Sequence, residues 1–454
     1  MSQSNLGNSG LYNGLLSDQE CGQFLSDQTQ IKAMLKVEGQ LALAQAEAGL
    51  IPHQAASAIN QAALSIEPDL ASLSAGTASA GVPVPALVKA LKDALAPEIA
   101  RWVHFGATSQ DIVDTALVLN CRSLVEVFES RLLSVVGMLG ELAERQRSTL
   151  IAGRTRTQQA VPMSFGLKIV TWIDPLLRQH ERLAELKPRL LKIQLGGAVG
   201  SLIAMGSNAN AVALGLADRL DLRYAPSWHT QRDSLMEFSG WLAMTTGSLG
   251  KMGEDWLRMA QTEMGELRFS NGGGSSTMPQ KCNPVNAEIM VAMARQNAGL
   301  AGQMQQCMLH EHERSGVAWT QEWLVLPQML MGTAVSLRHC LEGLHHLEIS
   351  PDRIDANLNS GNGLIYAEAA TFILAGSMSR DEASEHVARA CQSVAGSERH
   401  LFDVLKDLTG RELDLQQIKQ DLLAGGATES LIDETLRNAR TLLGRNSSTA
   451  QGSN

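Results

Sequence analysis

Four stretches of this chain carry the apolar spacing of an α-helix for longer than a small domain needs. They are residues 112–147, 236–268, 284–309 and 321–347, and the first contains no proline and only two glycines. Periodic segments of more than about 25 residues are typical of an extended helical bundle rather than of a compact α/β sheet. Helices too long for one small core to cover also predict oligomerisation, with the bundle shared between chains.

The composition favours helix along the whole chain. It has 3 Tyr and 8 Phe against 18 Met, whereas strands are enriched in aromatic and β-branched residues. The fold class that we expect is therefore all-α.

Several classes of function are excluded by charge and spacing. A net charge of −10, from 37 basic and 47 acidic residues, lacks the basic field that nucleic-acid binding needs. No run of about 18 apolar residues predicts a membrane span. The first ten residues, MSQSNLGNSG, lack the basic and apolar regions of a secretory signal. We expect a cytoplasmic protein without nucleic-acid or membrane partners.

Cysteines and histidines do not predict a metal site or disulfides. The six cysteines show no C-x-x-C pair, which indicates reduced, mostly buried thiols. His310 and His312 are spaced by two, which places them on different faces of a helix. We interpret them as a solvated helix end rather than as metal ligands.

Residues 271–284, NGGGSSTMPQKCNP, are the segment most suggestive of chemistry. Three successive glycines lose much backbone entropy on folding, which predicts a mobile flap. The flap carries hydroxyls, an ammonium group and an amide, and Pro284 is placed to begin a helix. It is not a Walker loop, because the Gly-Lys-Ser/Thr junction is missing. A flexible connection between helices is the alternative interpretation.

The part GSSTMPQKCNP resembles the signature of the fumarase/aspartase superfamily, Gly-Ser-Ser-x-Met-Pro-x-Lys-x-Asn-Pro. Four further segments follow in the superfamily's order: residues 35–52, 104–111 (HFGATSQD), 153–160 (GRTRTQQA) and 196–200. The resemblance implies a three-domain all-α fold with a central long-helix bundle. It also implies a homotetramer in which three chains assemble each active site, with no cofactor and no metal.

The domain boundaries are expected near breaks in the helical pattern. We place an N-terminal helical domain at residues 1–110 and the central bundle with the signature loop at 111–349. Ser350 and Pro351 follow the last long helix, so a C-terminal helical domain is expected at 350–445. Residues 446–454 are polar and are expected to be a disordered tail.

The resemblance also implies roles for individual residues. Members remove a proton next to a carboxylate and form an enediolate, so the site needs a base, a cation and carboxylate-binding donors. By motif match, the serine base and the lysine that stabilises the enediolate are Ser275 and Lys281. The substrate-binding positions are Thr108, Ser109, Gln158, Asn283 and His104. A lone histidine such as His104 is, however, more often structural.

One departure from the superfamily pattern concerns the leaving group. Most of the lyases have a histidine at the position of Arg156, paired with a glutamate at the position of Glu288, to protonate the leaving group. An arginine does not release its proton at usable pH. The leaving group should therefore need no proton. A carboxylate, whose pKa is about 4, satisfies that requirement, whereas an amine or hydroxide does not.

A second departure argues against a nucleotide substrate. Adenylosuccinate lyases hold a phosphate with a serine and an arginine downstream of a Glu-Arg pair. Here that pair is followed by Trp319 and Trp323, and an indole offers one donor and no charge. The two tryptophans, four apart, form either packing or a pocket wall.

With these departures, the chain resembles the bacterial 3-carboxy-cis,cis-muconate cycloisomerases, the lactonising branch of the superfamily. The resemblance implies a cofactor-independent isomerase of the protocatechuate branch of the β-ketoadipate pathway, acting on a small polycarboxylate. Ser275 would deliver the proton, Lys281 would stabilise the enediolate, and Arg156, held by Glu288, would bind the attacking carboxylate. Arg314 is the other candidate for that last role.

Two alternatives remain open. One is an argininosuccinate- or adenylosuccinate-type lyase, which Arg156 disfavours. The other is a non-enzymatic, crystallin-like scaffold, since fold alone does not prove activity.

Overall fold

A computed structural model describes residues 10–274 and 277–451, with side chains as far as residue 444. Within this range the α-helices are α1 (Asn13–Leu16), α2 (Gln19–Phe24), α3 (Asp27–Glu47), α4 (His53–Ser65), α5 (Leu70–Ala80), α6 (Val84–Asp93), α7 (Pro97–Ala100), α8 (Ser109–Arg145), α9 (Phe165–Leu190), α10 (Ala209–Leu220), α11 (Asp233–Met259), α12 (Val285–Gln306), α13 (Gly316–His346), α14 (Pro351–Asn359), α15 (Ala367–Ala375), α16 (Arg380–Val394), α17 (Leu401–Thr409), α18 (Leu415–Ala424) and α19 (Thr428–Gln451). Short 3₁₀ helices occupy Gly10–Tyr12, Ile203–Asn208 and Leu364–Tyr366.

The strands are short and pair two by two. They are β1 (Leu150–Thr155), β2 (Gln158–Ser164), β3 (Leu267–Phe269), β4 (Gly273–Gly274), β5 (Cys282–Asn283) and β6 (Leu347–Ile349). β1 pairs with β2, β3 with β6, and β4 with β5, all antiparallel. The prediction of an all-α fold is confirmed, since these ribbons only connect helices. No helix in the part of the chain described here is long and apolar enough to cross a membrane.

The chain divides into two compact units. The first unit comprises Met1–Arg131, Gln179–Gly247 and Ala292–Arg338, and the second comprises Leu132–Arg178, Ser248–Val291 and His339–Asn454. Five long helices, α8, α9, α11, α12 and α13, each begin in one unit and end in the other. The division into three domains at residues 110 and 349 stays a prediction.

Small residues allow close helix packing in the first unit. A Cβ on Gly39 of α3 would lie 2.6 Å from Oδ1 of Asn60 on α4, so only glycine permits this approach. The start of α3 is capped by Ser26, whose side chain accepts a hydrogen bond from the Thr29 N–H. α3 also packs on α10, where Ala44 faces Gly215.

The second unit has a separate apolar core in its C-terminal part. It is formed by buried side chains such as Tyr366 and Leu405, and it includes Ala152 of β1. The base of the β1–β2 hairpin is thereby fixed, since Ile151 and Ala152 are only 1% and 2% exposed. The predicted tail is not tested: α19 extends to Gln451, and residues 452–454 lie outside the described range.

Candidate active site

The signature segment forms a short hairpin at the start of α12. Gly273 pairs with Asn283 and Gly274 with Cys282, and residues 277–281 form a loop that leads into β5. Ser275, the predicted base, lies outside the described residues. Lys281 is exposed at the end of the loop, where its N–H donates to the Met278 carbonyl over 3.0 Å. Asn283 is half-buried two residues later. The hairpin therefore brings Lys281 and Asn283 to one place.

Crowding explains two of the three glycines in this segment. A Cβ on Gly272 would lie 2.2 Å from Cys282 Sγ and 2.9 Å from the Asn283 carbonyl oxygen. A Cβ on Gly273 would lie 2.8 Å from Val285 Cγ2, whereas one on Gly274 would meet nothing within 4 Å. Gly272 and Gly273 thus allow the backbone to pass close to the residues at the other end of the signature segment. This reason for the Gly-rich run does not depend on flap mobility.

A buried amide anchors the first turn of α12, next to the exposed Glu288. Asn286 is 9% exposed, and its Oδ1 lies 2.7 Å from Nδ1 of the buried His339 on α13. Both residues belong to the second unit. This pair could not be predicted from the sequence, because the two residues are 53 positions apart and neither belongs to the signature.

Arg156 lies at the tip of the β1–β2 hairpin. Arg156 and Thr157 form the two-residue turn, with φ values of 51° and 69°. Positive φ at both turn residues is the pattern of a type I′ turn, which favours Asn-Gly. A left-handed conformation costs a residue with a side chain about 1–2 kcal/mol, and a β-branched threonine is a clear outlier there. Strain of this kind is often found at functional sites.

The structure does not join Arg156 to Glu288. No ion pair links these two exposed side chains among the described residues of one chain. Gln158 follows the turn and is also exposed. The prediction that Glu288 holds Arg156 therefore stays a prediction.

Two residues before Arg156, an arginine is held by a fully buried carboxylate. Arg154 donates from Nη2 and Nη1 to the two oxygens of Glu266 over 2.7 and 3.2 Å, and Glu266 is 0% exposed. The Asn357 amide donates to the same carboxylate over 2.9 Å. No signal in the sequence distinguished Glu266 from the other acidic residues of the chain.

In the first unit, the predicted carboxylate-binding segment forms the N-terminal end of α8. Thr108 precedes the helix, Ser109 is its first residue, and both are half-buried. A helix N-terminus presents free N–H groups and a partial positive charge, which suits an anionic substrate. Arg314 donates from Nη1 to the Thr108 hydroxyl. Two of the predicted binding residues are thus in direct contact.

Asp111 joins this helix end to the glycine turn at residues 196–200. Its fully buried carboxylate accepts hydrogen bonds from the N–H groups of Gly196 and Gly197 over 2.8 and 2.9 Å. It also accepts from the Thr108 N–H over 3.0 Å and from the Gln194 amide over 3.0 Å, and His229 Nε2 lies 3.0 Å away. The sequence predicted substrate binding for residues 104–111 and a glycine turn at 196–200, but it did not reveal the carboxylate that connects the two segments.

His104 is paired with a buried acid. Its Nδ1 lies 2.6 Å from Oε1 of Glu38, which is 2% exposed. Burial alone would lower the pKa of His104, but the Glu38 carboxylate outweighs burial and raises that pKa above its ordinary value. His104 also has a φ of 63°. These contacts support a structural role, and the contact of His104 with substrate stays a prediction.

A group of buried charges surrounds Arg232, which is 0% exposed and contacts Asp114 of α8. Its guanidinium donates to Asp114 over 2.6 Å and to Glu322 over 2.8 and 2.5 Å. Trp319 donates from Nε1 to Asp114 over 3.0 Å. The His310 side chain is 1% exposed and lies 3.8 Å from Glu322. The interpretation of His310 as a solvated helix end was therefore wrong, since its side chain is buried beside Glu322.

The two tryptophans have different surroundings. Trp319 is packed against Asp114, while Trp323 lines an apolar cavity of about 330 Å³ together with Leu117 and Leu326. Their ring centroids are 4.7 Å apart. Of the two alternatives for these tryptophans, packing therefore applies to Trp319 and a pocket wall to Trp323.

Comparison with known proteins agrees with this architecture. Residues 12–299 match the family model described as "Lyase". A 3-carboxy-cis,cis-muconate cycloisomerase of Pseudomonas putida is 39% identical over 406 residues, which is 86% of this chain and 96% of that protein. Trans-aconitate decarboxylase 1 of Mycosarcoma maydis is 35% identical over 400 residues, covering 86% and 81% of the two chains. The crystal structure of the 3-carboxy-cis,cis-muconate lactonizing enzyme from Pseudomonas putida superposes with a TM-score of 0.89 at 35% identity, over 95% of this chain and 99% of that one.

Proposed function

Since this chain belongs to the lyase family of the fumarase/aspartase superfamily, we propose that it is a cycloisomerase that converts 3-carboxy-cis,cis-muconate to 4-carboxymuconolactone. The reaction is an intramolecular addition. One terminal carboxylate forms a C–O bond to the carbon that bears the 3-carboxyl group. The electrons of the carbon–carbon double bond at that carbon pass to the carboxylate attached to the other carbon of the bond, which gives an enediolate. A proton is then added to that other carbon.

The observation that carries the proposal is an arginine at the tip of the strained hairpin. Read backwards, the reaction expels a carboxylate, which leaves as an anion without being protonated. Arg156 offers a permanent charge and five N–H donors but does not act as an acid at usable pH, which suits binding of that carboxylate. A lyase that releases an amine needs an acid, which an arginine does not supply.

The remaining roles follow the chemistry of the intermediate. We assign proton delivery to carbon to the Ser275 hydroxyl, and stabilisation of the enediolate to the Lys281 ammonium. Asn283, Gln158, Thr108 and Ser109 supply neutral donors to the other carboxylates of the substrate. Arg314, beside the N-terminal end of α8, supplies a further cation, after Arg156 and Lys281, for a substrate with three negative charges.

We further propose a homotetramer with shared active sites, in the cytoplasm. Exposed apolar side chains on and before α13 support an interface there: Leu309 is 77% exposed, Val317 75% and Leu324 64%. The described cysteines are all free thiols, as expected in a reducing compartment. Light scattering coupled to size-exclusion chromatography checks the assembly, and a monomer would contradict it.

The direct test of the activity uses purified protein without added metal or nucleotide. With 3-carboxy-cis,cis-muconate, we expect loss of the ultraviolet absorbance of the conjugated diene and a lactone as the product. A Lys281→Ala variant should fold and assemble but lose turnover, which excludes a scaffold. Turnover of argininosuccinate instead, or carbon dioxide release from trans-aconitate, would reject the proposal. An Arg156→His variant with unchanged lactonisation would reject the role of Arg156.

A further inference from the structure

The tip of the β1–β2 hairpin has no apolar anchor of its own. Residues 155–159 are all exposed, while the buried residues of the hairpin lie toward its base, at Ile151 and Ala152 of β1 and at Pro162 and Ser164 of β2. The turn residues Arg156 and Thr157 both have positive φ, a conformation that their side chains disfavour. Strained backbone persists only where the surroundings hold it. Some other interaction must therefore fix the direction in which Arg156 points.

Polar contacts on both sides of the turn supply that interaction. Before the turn, Arg154 binds Glu266 through two hydrogen bonds of 2.7 and 3.2 Å. After the turn, the Gln159 amide donates to the Asn357 carbonyl over 2.8 Å. The Asn357 side chain in turn donates to Glu266 over 2.9 Å. One strand of the hairpin is thus tied to Glu266 and the other to Asn357, and these two residues are hydrogen-bonded to each other.

The register of the hairpin also depends on this region. Ala152 pairs with Pro162 but Arg154 pairs with Gln159, so β2 carries one extra residue opposite Gly153. A Cβ on Gly153 would lie 2.6 Å from the Val161 carbonyl oxygen, so glycine is required at this bulge. A bulge changes the faces on which the following side chains lie. Arg154 follows the bulge directly, and in the observed register its guanidinium reaches Glu266.

We propose that Glu266, together with Arg154 and Asn357, is the positioning device for Arg156 in substrate binding. Glu266 is buried and touches no substrate in this scheme; it acts through the hairpin. The bidentate contact of a planar guanidinium with a carboxylate fixes both distance and orientation, which a single ammonium contact does not. The inference rests on the proposed function, because it takes Arg156 to be the residue that binds the attacking carboxylate.

A double-mutant cycle tests whether Arg154 acts through Arg156. Arg154→Lys keeps the charge but loses the bidentate geometry, and we expect kcat/KM to fall by about tenfold, mainly through a higher KM. In an Arg156→Ala background, the same substitution should have no further effect, because the positioned group is already gone. An equal drop in both backgrounds would overturn the proposal. Asn357→Ala is the second variant, should Arg154→Lys fail to fold.

Arg147→Lys is the matched control. Arg147 lies in the same unit, has nearly the same side-chain exposure as Arg154 (26% against 24%) and is ion-paired with Glu144 and Asp433, away from the turn. We expect this variant to keep the kcat/KM of the wild type in both backgrounds. A similar loss in the control would indicate that any weakened ion pair impairs the enzyme, and the proposal would fall.

Hydrogen exchange provides a readout that does not depend on turnover. In Arg154→Lys we expect amides of residues 155–159 to exchange about tenfold faster, with Leu267–Phe269 unchanged. Unchanged exchange at the tip would overturn the proposal even if the wild type proved inactive on the muconate. Inactivity of the wild type with faster exchange at the tip would reject the proposed function alone and leave the positioning contact supported.

Discussion

The guanidinium of Arg314 donates a hydrogen bond to the hydroxyl of Thr108, a residue 206 positions earlier in the chain. Thr108 directly precedes α8, and its N–H is held by the Asp111 carboxylate over 3.0 Å. A cation and a helix N-terminus thus lie side by side in the first unit. Together they form a surface with two sources of positive potential, which suits a polycarboxylate.

The first prediction concerns that contact. Thr108→Val keeps the shape of the side chain but removes the hydroxyl, so Arg314 loses the acceptor that orients it. We expect KM for the muconate to rise by about tenfold, the value of one hydrogen bond to a charged group. Thr108→Ser, which keeps the hydroxyl, should stay within about twofold of the wild type. Steady-state kinetics of both variants check this, and equal KM values for the Thr108→Val and Thr108→Ser variants would contradict it.

A second prediction separates the glycines of the signature hairpin. Gly272→Ala forces its Cβ to 2.9 Å from the Asn283 carbonyl oxygen and against the Cys282 sulfur, so β5, which contains Asn283 and directly follows Lys281, must move. A displacement of about 1 Å in an active site costs about 100-fold in rate, and we expect a loss of that order in kcat/KM. Gly274→Ala meets nothing within 4 Å and serves as the control.

If mobility is what the glycines supply, Gly274→Ala would slow the enzyme as much as Gly272→Ala does. Comparable losses in the two variants would therefore contradict the explanation by crowding.

The third prediction concerns the buried carboxylate of Asp111. Asp111→Asn replaces one acceptor oxygen by an NH₂ group that faces N–H donors, and it removes the charge that they stabilise. Breaking a buried charged network of this kind costs about 3–5 kcal/mol. We expect a large decrease of the urea midpoint of unfolding, whereas the control Asp93→Asn, at an exposed carboxylate, should leave that midpoint unchanged. If Asp111→Asn shifted the midpoint no more than Asp93→Asn does, Asp111 would not stabilise the fold in this way.

A fourth prediction concerns pH. His180, 3.3 Å from Glu129, and the ion pair of Glu129 with Lys187 at 2.5 Å lower the pKa of Glu129 to about 2. A carboxyl with a depressed pKa in the folded state contributes stability above its unfolded pKa of about 4.5, and loses it as the pH falls toward 2. The full contribution is about 3 kcal/mol at neutral pH.

The measurement is the free energy of unfolding of Glu129→Gln against the wild type from pH 7 to pH 2. We expect the difference between them to be largest above pH 5 and to shrink steadily below it. Glu141→Gln is the control, since that side chain is 79% exposed. A difference that does not change with pH would show that Glu129 contributes through packing rather than through its charge.

The fifth prediction concerns thiol reactivity. Burial raises the pKa of Cys121 to about 12 and that of Cys307 to about 11, while Cys282 is exposed between Lys281 and Asn283. At pH 8 we expect iodoacetamide to modify Cys282 first and to inhibit turnover, because the added group crowds the signature hairpin. Cys282→Ser should retain activity under the same treatment. Mass spectrometry that finds another cysteine modified first would contradict this.

Much of the site could be predicted from local sequence. Lys281 and Asn283 lie within one short motif, and Thr108 and Ser109 in another, so their neighbourhood is fixed by a few bonds of chain. The residues that hold these motifs could not be predicted in this way. Asp111 meets Gly196, Glu266 meets Arg154, and Asn286 meets His339 across long stretches of chain. A buried acid and an exposed acid look alike in sequence, because burial is decided by the packing around them.

The sequence by itself determined the all-α class, the long helices, the superfamily and the absence of a proton donor at position 156. These follow from apolar spacing, from a short motif and from residue type, all of which are local properties. Only the tertiary structure decided that Arg156 occupies a strained type I′ turn, that Glu266 ties this turn to α14, and that His310 turns inward toward Glu322. The physical reason is that a buried polar group must find a partner, and the helices that provide it meet only when the chain folds.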